Sequence, residues 1–383
     1  MNILIFSAQF LPHLGGIENF TYNLSKCLIK EGHNPIVVTS NTTNSPSQEV
    51  IEGIQIYRFD CINLIDGRFP IHKKNKLFNN IVKILDDIHF DFEIVNARFY
   101  FHSIFAVKYA TKRNIPHIVI DHGTSHLTVH QPILDYLGGY FEHFLTHFIK
   151  KYNKDFYGVS KASSQWLSHF NIHSKGQIYN AIDLNKINEI KTVSFPSFKE
   201  KYKVSKNSTV ISFTGRLLKE KGILQMVHSI LKYNENHEPV YCFIAGDGPL
   251  YNELKGMNNK YIVLLGRLPF DQVIHMLCET DIFCLVSDSE GFSTSLLEAA
   301  ACYNYIVTTA RGGAREVILN DDYGLVIENN DEESVYNALE FAIQNKNRKV
   351  AAELTYKIVE NNFTWEVTTN RIIELVRKSE EHE

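Results

Sequence analysis

The stretch Val210-Ile211-Ser212-Phe213-Thr214-Gly215-Arg216-Leu217-Leu218-Lys219-Glu220-Lys221-Gly222-Ile223 decides how the chain is read. Its first five residues are β-branched, aromatic or small, too few for a helix and without strict polar alternation. That is the signature of a strand buried on both faces, as in a parallel sheet. Gly215 ends the run, two cations follow, and Gly222 opens a second apolar stretch with helical spacing. A strand, a glycine turn and a helix make one βα unit. The same unit recurs: strands are predicted at 3–6, 36–39, 54–59, 94–97, 117–121 and 156–159, then at 210–214, 241–245, 262–265, 282–286, 305–308 and 325–327. Helical spans lie between them, at 16–30, 76–88, 102–112 and 161–170, and again at 223–231, 249–255, 270–278, 295–301 and 332–344. The polar, lysine-rich residues 185–208 interrupt the series. Two α/β domains of similar size follow from this, 1–183 and 184–362, each with a parallel sheet covered by helices.

Composition narrows the function. The chain has 383 residues, 44% of them hydrophobic and 21% charged, which excludes extended disorder. A net charge of −4 gives no footing for nucleic acid. No apolar run reaches the ~18 residues of a membrane span, and Met1 leads directly into a strand, so a cytoplasmic protein is expected. Cys27, Cys61, Cys242, Cys278, Cys284 and Cys302 form no CxxC pair and are expected to be buried free thiols. The histidines form no HExxH, so no metal site is expected. Residues 140–154 mix aromatics with Lys150, Lys151 and Lys154. Such a segment suits an anionic membrane surface; a buried helix with a solvated lysine end suits it equally.

Chemistry-bearing residues gather at strand ends. Gly15-Gly16 follows the first strand and precedes a helix, where free amides attract anions, although a plain turn explains the pair as well. Arg216 and Lys221 offer a planar fork and a mobile ammonium, a set suited to a diphosphate; surface solvation, or pairing with Glu220, is the rival account. In Ser287-Asp288-Ser289-Glu290-Gly291-Phe292-Ser293-Thr294-Ser295-Leu296-Leu297-Glu298, a strand ends, a polar turn follows and a helix begins, capped by Ser293, Thr294 or Ser295. Glu290 and Glu298 can then address one pocket. Glu298 stands among apolar residues and needs a partner, either ligand hydroxyls or neighbouring protein groups. His122, in Asp121-His122-Gly123-Thr124, sits at a strand end as either a packed residue or a site residue. Gly246-Asp247-Gly248-Pro249, Leu265-Gly266-Arg267 and Arg311-Gly312-Gly313 are further strand-end turns.

In this order the motifs resemble retaining glycosyltransferases of family 4, over nearly the whole chain. Glu290 through Glu298 matches the family's Glu-x7-Glu element. Gly15-Gly16 with Glu18, Gly32-His33, Gly215-Arg216…Lys221-Gly222, Asn180-Ala181-Ile182-Asp183, Gly246-Asp247-Gly248-Pro249, Gly312-Gly313…Glu316 and Phe363-Thr364-Trp365-Glu366 match in sequence order. The resemblance implies the GT-B architecture, two Rossmann-like domains with parallel sheets facing across a cleft. It also implies a terminal helical segment, 363–383, that packs back on the first domain. By the same resemblance, a UDP- or GDP-sugar is held mainly by the second domain. Arg216 and Lys221 clamp the diphosphate, Glu298 accepts from the ribose hydroxyls and Glu290 holds the sugar hydroxyls. Gly291, Phe292, Ser293, Thr294 and Gly248 complete the donor site, with Arg267 by the base. Gly15 and Gly16 place backbone by the phosphate, and His122 approaches the reacting carbon. No cofactor or metal is implied beyond the donor substrate.

The implied reaction is retaining transfer to a saccharide acceptor, in bacterial surface polysaccharide or lipid-linked glycan synthesis, by an enzyme peripheral at the inner face of the cell membrane. Residues 9–16, 58–76 and 124–139 are the expected acceptor-recognising loops. A nucleotide-sugar epimerase or rearranging enzyme is the alternative, and a non-catalytic saccharide-binding protein a more distant one. Two departures stand out. In Gly312-Gly313-Ala314-Arg315-Glu316, many relatives have a proline before the glutamate, and Ala300-Ala301-Cys302-Tyr303-Asn304-Tyr305 replaces their Met-Ala-x-Gly-x-Pro.

Overall fold

The computed structural model describes residues 1–13, 15–64, 67–127 and 131–380. The chain forms two compact units, Met1–Asn180 together with the chain from Trp365 onward, and Ala181–Thr364.

In the first unit the strands are β1 (Asn2–Ser7), β2 (Asn34–Ser40), β3 (Gln48–Ile51), β4 (Ile54–Phe59), β5 (Cys61–Leu64), β6 (Phe69–His72), β7 (Phe92–Asn96), β8 (His117–Asp121) and β9 (Phe156–Gly158). Seven of them form one sheet in the order β3-β4-β2-β1-β7-β8-β9. All neighbours run parallel except β3 on β4, an antiparallel edge. Ile3 to Phe6 are wholly buried. Burial on both faces is why the run carries no polar alternation. Helices Lys76–Asp86 and Lys161–Trp166 begin where Asn75 and Ser160 accept the amides of Phe78 and Ser163. Phe6, Val38, Phe59, Val95 and Phe156 belong to the main core. The terminal helix Trp365–Glu380 packs on helix Gly16–Lys30, with Trp365 edge-on to Phe20 at 5.5 Å.

The second unit holds β10 (Val210–Thr214), β11 (Tyr241–Ala245), β12 (Ile262–Gly266), β13 (Ile282–Leu285), β14 (Tyr305–Thr309) and β15 (Leu325–Ile327). They form an all-parallel sheet ordered β12-β11-β10-β13-β14-β15. The chain builds outward from β10 through β12, then returns to β10's other side. The β10/β13 boundary is thus the topological switch point, and β1/β7 is its counterpart in the first unit. In open parallel sheets, ligands bind beyond the strand carboxyl ends at that point.

Local departures from expectation have physical causes. Within the expected loop 58–76, Cys61–Leu64 pairs antiparallel with Phe69–His72, and Arg58 is buried at the end of β4, holding the Leu11 and Pro46 carbonyls and Glu49. Tyr303 takes the left-handed conformation, φ 60°, that a glycine would adopt freely, and stacks on Tyr356 at 4.5 Å. Buried Asn304 beside it donates to the Leu277 and Thr280 carbonyls. Cys278 is exposed and Cys61 half-buried, while the other four thiols are buried; all six are free.

Candidate active site

Beyond the carboxyl end of β10, the turn backbone is packed too closely for side chains. A Cβ on Gly222 (φ +69°) would come within 2.2 Å of the Val286 carbonyl oxygen, and one on Gly248 within 2.7 Å of that of Leu217. Leu217 is pinned there, its amide donating to the Asp247 carbonyl at 2.9 Å. This frame sets Lys221 against the turn that follows β13. Its Nζ lies 2.6 Å from Glu290 Oε1, which also accepts from Ser287 Oγ at 2.8 Å. Glu290, 16% exposed, is therefore held by two donors at the switch point. Glu220 makes no ion pair with Arg216 or Lys221; its carbonyl receives the Asp288 amide at 2.8 Å.

The Glu290 turn has its own supports. A Cβ on Gly312 would meet the Gly291 and Glu290 carbonyl oxygens at 2.8 and 2.9 Å, and one on Gly313 would strike the Phe292 ring. Arg311 Nε donates to the Asp288 carbonyl, and Asn330 Nδ2 to Val286 O and Asp288 Oδ1. Asp288 and Asn330 carry no motif, and their supporting role becomes visible only in three dimensions.

Helix Thr294–Ala301 starts at Ser293 without a side-chain cap; Ser293 Oγ meets Ser295 Oγ at 2.9 Å. The expected serine or threonine cap is absent, and the first-turn amides keep their capacity for an anion. Glu298, half-buried one turn further on, has its carboxyl pushed up to about 7 by desolvation, opposed by a hydrogen bond with Thr294. Arg216 and Arg267 are exposed and make no ion pair or side-chain hydrogen bond among the described residues. The second unit thus assembles Lys221, Glu290, Gly291 and Phe292 with the Gly312-Gly313 turn, places Ser293, Thr294 and Glu298 on the adjoining helix, sets Gly248 under Leu217, and leaves two arginines free to meet an anion.

In the first unit, His122 lies just past β8, its ring edge-on to Phe20 at 5.0 Å. Burial pushes its pKa down to about 3, so the imidazole is neutral. Its Nε2 is 2.9 Å from Asn96 Oδ1, Asn96 Nδ2 donates to Thr21 Oγ1 at 2.9 Å, and that hydroxyl donates to the Ile17 carbonyl. The chain of donors fixes the tautomer: Nε2 carries the proton and Nδ1 keeps a lone pair. Asn96 and Thr21 escaped the sequence reading because their partners lie on other elements. Gly15 precedes helix Gly16–Lys30; a Cβ on Gly15 would press on the Glu18 carboxylate, and one on Gly16 would meet nothing. Glu18 lies 3.4 Å from His13. Of the expected acceptor loops, Leu14, Ile65, Asp66, Thr128, Val129 and His130 lie outside the described residues.

Comparison with known proteins agrees with this architecture. Residues 14–186 match the family model "Glycosyltransferase Family 4", and residues 194–376 match "Glycosyl transferases group 1". The chain is a glycosyltransferase of the GT-B type, built from a family 4 domain and a group 1 domain. It is 25% identical to an uncharacterized glycosyltransferase of Methanocaldococcus jannaschii over 95% of each chain. It is 26% identical to the phosphatidylinositol N-acetylglucosaminyltransferase GPI3 subunit of Saccharomyces cerevisiae, over 84% of this chain and 70% of that one. Among solved structures, sucrose-phosphate synthase of Thermosynechococcus elongatus superposes with a TM-score of 0.75 at 15% identity over all of both chains. HepE of Anabaena in complex with UDP superposes with a TM-score of 0.74 at 16% identity, over 99% of this chain and 100% of that one. At those identities the structures share the fold.

Proposed function

We propose that the protein is a retaining, metal-independent hexosyl- or N-acetylhexosaminyltransferase that uses a UDP- or GDP-sugar to extend a saccharide, in surface polysaccharide or lipid-linked glycan synthesis. The observation that carries this reading is the Lys221–Glu290 pair at the switch point of the second sheet, beside an uncapped helix start and two unpaired arginines. The HepE complexes contain UDP and UDP-glucose, and the yeast relative's name specifies an N-acetylglucosaminyltransferase acting on a phosphatidylinositol, which supports a UDP-sugar and a lipid-borne acceptor.

Breaking the anomeric carbon–oxygen bond puts positive charge on the sugar and negative charge on the departing diphosphate. Arg216, Lys221 and the Thr294–Ala301 helix amides stabilise the latter where it develops. Glu298 accepts from the ribose hydroxyls, while Glu290, already held by two donors, orients sugar hydroxyls; it is not a covalent nucleophile. Retention proceeds by attack on the face the diphosphate leaves, with the departing phosphate taking the acceptor proton. Within the first unit, Gly15-Gly16 opens helix Gly16–Lys30 and His122 keeps an acceptor at Nδ1.

A peripheral membrane location belongs to the same reading. Helix Pro132–Ile149 buries Leu145 and Ile149 but exposes Ile133 (77%), Leu137 (57%), Tyr140 (62%) and Phe144 (55%). That is a one-sided apolar face, and among the described residues no helix is long and apolar enough to cross a membrane. Lys151 is exposed beside it, whereas Lys150 donates to the Phe170 carbonyl at 2.8 Å and serves the fold.

The test is a screen of nucleotide sugars with chelator present, scoring released nucleoside diphosphate and the anomeric configuration of the product on lipid-linked saccharides. Acceptor-dependent transfer with retained configuration supports the reading. Donor epimerisation without acceptor would favour the rearranging alternative, and no turnover with any donor the binding-only one.

A further inference from the structure

Three histidines that are far apart in sequence converge in the first unit. His126 lies in the segment after β8, His143 in helix Pro132–Ile149, and His169 in the turn Leu167–Phe170. The Nε2 of His169 is 3.2 Å from that of His126 and 3.1 Å from that of His143. One ligand nitrogen of each ring lies within 4.8 Å of the others. Nitrogens bound at ~2.05 Å around a tetrahedral ion are about 3.3 Å apart, a separation that both His169 contacts match.

Protonation makes the same point. His126 Nδ1 is 3.0 Å from Glu142 Oε2, so Nδ1 carries the proton and Nε2 presents its lone pair to the other two rings. A proton on His169 Nε2 aligns well with only one neighbour, whereas a cation takes all three lone pairs. Glu142 is itself fixed, by the Leu127 amide at 2.7 Å and by buried Arg98, which also holds Asp121. A carboxylate that orients a ligating imidazole and raises its basicity is the usual outer shell of a zinc site. The rings are braced as well: His169 stacks on Trp166 at 4.6 Å, and His143 packs on Phe170 at 4.6 Å. His169 is exposed, which leaves an entry path and room for a solvent ligand in the fourth position.

We propose that His126, His143 and His169 form a site for one borderline divalent transition ion, Zn²⁺ foremost, oriented by Glu142. Imidazole ligands in this geometry select such ions over Mg²⁺ or Ca²⁺. The ion would tie the segment that carries His122 to helix Pro132–Ile149 and to the Leu167–Phe170 turn, a structural clamp that takes no part in the transfer step. The site is contained in the first unit and does not depend on the donor assignment.

The test uses the full chain, stripped by chelator, titrated with Zn²⁺ against a chromophoric chelator and with Co²⁺ by visible absorption. Expected are one equivalent of Zn²⁺, the intense cobalt bands of a four-coordinate site, and an unfolding midpoint roughly 5–10 °C higher at saturating Zn²⁺. His169→Ala, on an exposed side chain, should weaken binding at least ~100-fold, and Glu142→Gln about 10-fold or more. Substoichiometric uptake, a weak six-coordinate cobalt spectrum, or unchanged affinity in a folded His169→Ala chain would each overturn the site. If His143→Ala fails to fold, His169→Ala alone decides.

Discussion

Glu298 and His122 are both pressed by burial toward their neutral forms, with opposite consequences. For the carboxyl, a value near 7 against an ordinary 4.5 means that its contribution to stability is present at low pH and lost as pH rises toward 7. The ionised form accepts from two hydroxyls at once and more strongly than the neutral acid, so the donor KM should fall as pH rises from about 6 to 8. Glu298→Gln should flatten that dependence, and a KM profile on both proteins checks it. His122, neutral down to about pH 3, cannot supply the limb. Arg216→Ala or Lys221→Ala should lower turnover at least ~10-fold through lost stabilisation of the leaving diphosphate. Wild-type rates in folded variants would remove the clamp assignment. The exposed Arg216 and the cation at Lys221 follow from residue types at strand ends, and these are legible in the sequence. The His122–Asn96–Thr21 chain was not, because hydrogen-bond direction depends on three elements meeting.

At the scale of elements, glycine turns and one helix face carry the testable content. Gly222→Ala requires φ +69° and drives a Cβ into the Val286 carbonyl, so it should cost about 2–5 kcal/mol. Chemical denaturation of the variant measures that directly. Helix Pro132–Ile149 predicts its own behaviour differently: Leu137→Asp on the exposed face should leave stability nearly unchanged and abolish flotation with anionic vesicles. Equal flotation of both proteins would return the face to ordinary surface. The parallel strands were legible because burial on both faces leaves uninterrupted apolar runs. Edge strand β3 and hairpin β5–β6 were not, since short edge segments are half-polar and their pairing is set by what lies beside them.

Across the whole molecule, each sheet carries its own switch point, and the first unit is closed by the end of the chain. Trp365, Ile372, Ile373 and Val376 are almost fully buried. Truncation before Trp365 should therefore cost the first unit several kcal/mol, at ~1.5–3 kcal/mol for each large apolar side chain exposed. A lower melting midpoint and faster proteolysis within residues 1–180 would show it, and unchanged melting would contradict the packing described.

What the residues determined unaided was local and periodic: the βα repeats, the turns that demand glycine, and the charged groups placed where strands end. These depend on near neighbours along the chain. Only the tertiary structure decided that Lys221 meets Glu290, that Tyr303 turns left-handed and stacks on Tyr356, and that His126, His143 and His169 share one point. Each of those facts joins elements whose separation in sequence carries no trace of their distance in space.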